Sequence, residues 1–241
     1  MLSEEIRARM AENVAQIRQK MAEAAKEAGR DPAEIRLCAA CKTRTVEEVR
    51  ASADLAIDLF GENHVQELVE KTDAGAYAGK PGHFIGHLQT NKVNKVVGRA
   101  AMIESVDSAR LLDKVARAAA GRSLVQDILI EINIGEEASK SGVREDDLWA
   151  LLEDAAARPS VRLRGLMAIP PAEATPDETR AFFARMRELL AKAAGRHYEN
   201  AVMDTLSMGM SGDYPAAIRE GATIVRIGTA IYGARDYSKK G

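Results

Sequence analysis

Only two cysteines occur in the 241 residues, Cys38 and Cys41, so a disulfide framework is excluded and a reducing compartment is expected. Aromatic side chains are scarce at 4%, while apolar residues reach 46% and charged residues 29%, the balance of a soluble globular chain. No run approaches the roughly 18 apolar residues of a spanning helix, and "MLSEEIRARMAENV" lacks the apolar region of a signal peptide. A cytoplasmic protein with no membrane partner is therefore expected. One-signed charge is missing as well. Thirty-four basic residues face thirty-six acidic ones, always interleaved, which argues against a phosphate-backbone footprint and a nucleic-acid partner. No Pro-, Gly- or Ser-rich linker divides residues 1–241, and a single domain is expected.

What is present is a strongly periodic chain. Ile6, Met10, Val14, Ile17, Met21 and Ala25 recur at three- and four-residue steps between Ser3 and Gly29, predicting one amphipathic helix within an N-terminal segment 1–29 that packs on the remainder. Short β-rich runs follow, at Ile35–Cys41, Ala56–Phe60, His83–Ile85, Met102–Ser105, Asp127–Ile134, Val161–Met167, Thr205–Ser207 and Thr223–Ile227. Helical patterns lie between them at Thr45–Ser52, Val65–Lys71, Gln89–Val97, Ser108–Ala120, Arg144–Ala157 and Thr175–Ala194. Strand and helix in alternation imply parallel pairing with right-handed crossovers. Eight such units close into a (β/α)8 TIM barrel of an α/β class, with a doubly wound open sheet as the second choice.

"LCAACKTRT" looks at first like a cysteine motif. Strand alternation sends Cys38 and Cys41 to opposite faces, so they read as packing and cannot bridge. Adding His83 and His87 of "HFIGH" gives ligand types but not zinc-finger spacing, and no metal is expected. Individually, His64, His83 and His87 suit packing or helix-start roles.

Lys42 matters because it follows the first strand, and the carboxyl ends of barrel strands form the active face. A desolvated amine there becomes a nucleophile for carbonyl carbon. Strand two leads into "FGENHVQE", where Gly61 would make a tight turn and Asn63, Glu62 and Glu67 supply polar groups. Strand seven ends in "LSMGMSGDY", with Asp213 in position to cap a helix, and strand eight in "VRIGTAIYG". Glycine N–H groups beside Ser211 and Thr229 make an anion cradle where barrels habitually bind phosphate. Arg226, two residues before Gly228, shares its face. A lysine opposite a phosphate cradle describes a pocket for a phosphorylated aldehyde, of which pyridoxal 5'-phosphate (PLP) is the commonest.

"CKTRT", "FGENHVQE", "HFIGHLQTNK", "ESVDS", "EINIGEEASKSG", "RGLMAIP", "LSMGMSGDY" and "VRIGTAIYG", in order from about Arg36 to Arg235, resemble the pyridoxal phosphate homeostasis protein family, the YggS/PROSC-like proteins. The resemblance implies an alanine-racemase-like barrel (PLP fold type III) that holds PLP without established turnover and helps control the free cofactor, with apoenzymes as possible recipients and a monomeric state. Carried over by motif, Lys42 would form the Schiff base, Ser211, Gly228 and Thr229 would hold the phosphate with Ser207 and Met208 close by, Arg226 would face the ring nitrogen and Asn63 would line the ring. Cys41 stands where the family usually has serine, and His64 where it has tyrosine. Lys140 in "ASKSG" also matches, as a solvated loop lysine or a secondary aldehyde contact. The alternatives are a PLP-dependent amino-acid racemase or lyase of the same fold, and a Schiff-base aldolase acting on a sugar phosphate. The chain ends soon after the last predicted strand, leaving no room for the second domain that racemases carry, and an open mouth is expected.

Overall fold

The computed structural model describes residues 3–137 and 140–233. Ala138 and Ser139 of the "ASKSG" motif, and the residues beyond Gly233 that the single-domain and motif boundaries include, lie outside the described residues.

Eight parallel strands close into a barrel in sequence order, β1 to β8, with β8 returning to pair with β1. They are β1 Arg36–Ala40, β2 Leu59–Glu62, β3 Gly82–Phe84, β4 Met102–Val106, β5 Gln126–Ile132, β6 Val161–Ala168, β7 Ala201–Ser207 and β8 Ile224–Ile227. The helices are α1 Glu4–Glu27, α2 Val46–Ser52, α3 Val65–Asp73, α4 Val93–Val96, α5 Ala109–Ala120, α6 Glu145–Ala156, α7 Pro176–Ala194, α8 Tyr214–Arg219 and α9 Thr229–Tyr232.

Local chemistry explains where several of these begin. The Ser3 hydroxyl accepts from the Ile6 N–H to open α1, and Thr45 with Glu48 and Thr175 with Glu178 form reciprocal capping boxes at α2 and α7. The apolar stripe of α1, from Met10 to Ala25, is buried; a fully buried Ile or Met contributes about 1.5–3 kcal/mol. Asn13 Nδ2 donates to the Ile231 carbonyl and ties α1 to α9, while Arg30 donates to the carbonyls of Ile218 and Ala222 behind α8.

Strand alternation divides the core in two. The main apolar cluster, between sheet and helices, includes Leu37, Ala39, Cys41, Ile128 and Ile130. Separate clusters of Cys38, Leu59 and Ile224, and of Met102, Leu129 and Met167, fill the inside of the barrel. Both cysteines are free and buried, in different clusters.

The expected strand at Ala56–Phe60 is displaced, since β2 runs from Leu59 to Glu62 and Gly61 lies within it rather than in a turn. A Cβ on Gly61 would sit 2.7 Å from both Cys38 Sγ and Ile85 Cδ1, so a larger residue at this point of the interior would have to displace both side chains. β7 begins four residues earlier than expected, at Ala201. The Gln89–Val97 pattern resolves into a short 3-10 turn at Thr90–Lys92 followed by α4.

Candidate functional site

β1 ends at Ala40, and the chain turns there, with Thr43 at a left-handed φ of 66°. Lys42 is thereby left half-buried at the carboxyl end of the barrel. It lines a cavity of about 220 Å³ with Ala40, Arg44, Ser211, Arg226, Gly228 and Thr229, and the Met210 and Gly212 backbone neighbours complete the wall. Among the described residues this lining carries three cationic side chains and no carboxylate. The loop after β1 meets those after β7 and β8, far along the sequence, here.

Packing fixes the cradle side. An added Cβ on Gly228 would lie 2.8 Å from the Ala40 carbonyl oxygen, so the end of β8 can approach β1 this closely only as glycine. The Ala230 N–H donates to Ser211 Oγ at 3.5 Å, which joins the loop after β7 to the first turn of α9. Asp213 occupies the N-cap position of α8, but its carboxylate accepts from the Met210 N–H at 2.5 Å and closes the turn beneath Ser211 instead of capping the helix. Arg44 is held over the Tyr232 ring, 5.4 Å from its centroid, and donates to the Gly233 carbonyl at 2.7 Å.

The floor is a buried polar chain. Arg226, 4% exposed, donates from Nη1 to Ser207 Oγ (2.6 Å) and from Nη2 to the Ala168 carbonyl (3.0 Å). Ser207 Oγ in turn donates to Glu104 Oε2 at 2.5 Å, and His83 Nδ1 donates to Glu104 Oε1 at 2.6 Å. Burial alone would raise the Glu104 pKa; the hydrogen bond and charge of His83, together with Arg226 and Ser207, outweigh it and hold the carboxyl below its usual range. Ser207 therefore sits under the cavity, bridging Glu104 and Arg226, and Met208 is buried in the main core cluster; neither lines the cavity.

A second buried pair supports the lysine's strand. Lys71, 1% exposed, donates to Glu62 Oε1 and to the Cys41 carbonyl, both at 2.8 Å. Cys41 Sγ (3.0 Å) and the Tyr77 hydroxyl (3.3 Å) also donate to Glu62 Oε1. Burial still exceeds the attraction of Lys71 and pushes Glu62 up to about 7. Burial likewise pushes both thiols well up, Cys38 further by the Glu104 charge and Cys41 by that of Glu62, so neither is a thiolate nucleophile.

Asn63 and Lys140 do not line the lysine cavity. They meet in a neighbouring one of about 310 Å³ at the same end of the barrel, with His87, Glu131, Asn133 and Ser141. Lys140 Nζ donates to the Pro170 carbonyl at 3.2 Å and pairs with Glu137 at 2.5 Å. His64 stands at the N-cap of α3 without a side-chain cap bond. The motifs did not single out Arg44, Glu104 or Glu131. Arg44 was in plain view two residues after Lys42, and strand alternation with Met102 and Leu129 places Glu104 and Glu131 inside the barrel.

Residues 7–236 match the family model described as alanine racemase, N-terminal domain. A protein of Aquifex aeolicus named pyridoxal phosphate homeostasis protein is 40% identical over 226 residues, covering 94% of this chain and 98% of its own length. PipY of Synechococcus elongatus, solved with PLP bound, superposes with a TM-score of 0.81 at 31% identity over 93% of this chain and 100% of that one. Alanine racemase of Streptomyces lavendulae shares the fold at a TM-score of 0.71 and 19% identity, over 95% of this chain but 58% of the racemase. With a family model matched over nearly all of its length and a relative 40% identical across almost the whole of both chains, this chain belongs to the pyridoxal phosphate homeostasis protein family, within the wider group defined by the alanine racemase N-terminal domain.

Proposed function

We propose that this protein binds PLP in the cavity at Lys42 and takes part in PLP homeostasis, holding and releasing the cofactor without turning over a substrate of its own. The observation that carries the reading is the cavity lining, a lysine with two arginines and no carboxylate opposite a glycine-serine cradle. The residues suit the group. The close approach of Gly228 to the Ala40 carbonyl leaves backbone at the cavity wall where a side chain would fill it.

When bound, PLP supplies an electrophilic carbonyl conjugated to a pyridine ring. Lys42 Nζ is the nucleophile for that carbonyl. Ser211, Gly228 and Thr229 would hold the phosphate through hydroxyl and backbone donors, with charge from Arg44. Arg226, anchored from below by Ser207 and the Ala168 carbonyl, would present a cation to the ring. A fixed guanidinium disfavours protonation of a nearby ring nitrogen, which weakens the ring as an electron sink and favours storage over carbanion chemistry. Asn63 approaches from the adjoining cavity side. The known alternative, racemase or lyase chemistry, draws on the same lysine and the shared barrel.

The test is to add PLP, record the visible spectrum, reduce with borohydride and map the modified peptide by mass spectrometry. The label is expected on the peptide containing Lys42, and Lys42→Ala is expected to lose the visible band. Chiral analysis of alanine and serine after prolonged incubation should show no racemisation above that of free PLP; turnover above it would favour the enzyme alternative.

A further inference from the structure

The second cavity, about 310 Å³ between the ends of β2, β3, β5 and β6, is lined by polar groups of which the cofactor reading uses only Asn63. Its Lys140 is matched by Glu137, and its His87 by Asp107 at 3.5 Å and by Ser141 Oγ at 3.1 Å. Glu131 is not matched. It is 8% exposed, its Oε2 is buried with no hydrogen-bond partner, and among the described residues no hydrogen bond or ion pair reaches its other oxygen. Asn63 Oδ1, on the same cavity, is likewise buried and without a partner.

Two unsatisfied acceptors, one of them ionisable, face a cavity whose cation already has its counter-charge. Leaving a buried carboxylate unpaired costs several kcal/mol unless it is neutralised or given a donor. Burial, reinforced by Asp107 and opposed by Arg226, accordingly pushes Glu131 up to about 7. The complementary ligand carries positive charge and N–H donors at one atom. An anion such as the cofactor's phosphate fits the lysine cavity and not this one.

We propose that the second cavity is a binding site for the ammonium group of a small primary amine, of which a free amino acid is the natural class, held between the Glu131 carboxylate and the Asn63 amide oxygen. Neither a bound cofactor nor Lys42 is needed for this binding, which goes beyond the cofactor-holding reading. It sets one fixed and one exchangeable primary amine at the same end of the barrel.

The experiment is saturation-transfer NMR titration of the full chain, as isolated and again after PLP loading and borohydride reduction, which leaves no reactive carbonyl. The probes are methylammonium, glycine, tetramethylammonium and acetate. Methylammonium and glycine should bind saturably. Tetramethylammonium, a cation without N–H donors, should not, and neither should acetate once PLP fills the cationic lysine cavity. Glu131→Gln, which keeps shape and removes charge, should weaken methylammonium by about tenfold or more while the unfolding transition stays intact. Glycine binding without methylammonium binding would mean that the carboxylate end is recognised and would overturn the assignment. So would equal binding of tetramethylammonium, or affinity unchanged in Glu131→Gln. Failure of PLP to label Lys42 would overturn the cofactor reading and leave these amine titrations standing.

Discussion

Glu131 offers the clearest test of electrostatics at a single residue. Its carboxyl rises from an ordinary 4.5 to about 7 in the folded chain, first by burial and then by Asp107. The folded state thus keeps a proton that the unfolded chain releases, so stability falls as pH rises from about 4.5 to about 7, with the full penalty above it. Replacing Glu131 by Gln should stabilise the protein at pH 8 by an amount on the order of 3 kcal/mol, and the gain should vanish near pH 4. Urea unfolding of both forms at the two pH values measures it, and comparison with wild type cancels the titration of Glu62 in the same window. Lys42, Ser211, Gly228 and Thr229 were legible beforehand because each follows a strand whose end is marked by a change from apolar to polar or glycine, and Arg226 because it lies in β8 two residues before Gly228, on the same face. Glu131 was not, because "ILIEINI" reads as one apolar strand, and whether its glutamate is paired depends on loops far away in sequence. Ser207, expected close by the phosphate-holding residues, directs its hydroxyl toward Glu104 and accepts from Arg226 beneath the cavity.

Among elements, the junction of β1, β2 and α3 depends on one buried ion pair. Lys71 of α3 crosses to Glu62 at the end of β2 and to the Cys41 carbonyl beside Lys42. Lys71→Met should destabilise the fold by about 3 kcal/mol at pH 8, because Glu62 is left buried without its cation, and by less at pH 5, where Glu62 takes up a proton. A double variant with Glu62→Gln should regain much of the loss, since an apolar or neutral pair needs no counter-charge. Urea midpoints of the two variants at both pH values decide the matter. The same pair accounts for the displaced β2. A glutamate following glycine reads as the end of a strand, and only a lysine nine residues later, folded back from α3, makes Glu62 an interior strand residue. Boundaries set by local chemistry, such as the Thr45 and Thr175 capping boxes, were legible to within a residue.

For the molecule as a whole, the position of the lysine cavity couples ligand binding to barrel closure. β5 and β6 pair over seven registered positions, but β7 and β8 register only at Ser207 and Ile224, with Met208 N–H to Ile224 O (3.2 Å) and Arg226 N–H to Gly209 O (2.9 Å) completing the join. The cavity spans this irregular seam, with Lys42 on the β1 side, Ser211 after β7, and Gly228 and Thr229 after β8. A ligand held by all three loops binds the closed barrel and not the unfolded chain, so PLP at a hundredfold excess over its Kd should stabilise the protein by about 2.7 kcal/mol. The gain should be local as well as global. Amide hydrogen exchange should slow most in β7, β8 and the start of α9, and change least in β5 and β6 on the far wall, where seven pairs are already in place on either side of one bulge. Lys42→Ala, keeping only the phosphate and ring contacts, should show the same spatial pattern with smaller protection. Protection centred on β5 and β6 in the exchange map would instead put the cofactor against the Glu131 cavity, where a carboxylate with no partner would face its phosphate, and would reverse the division of labour between the two cavities.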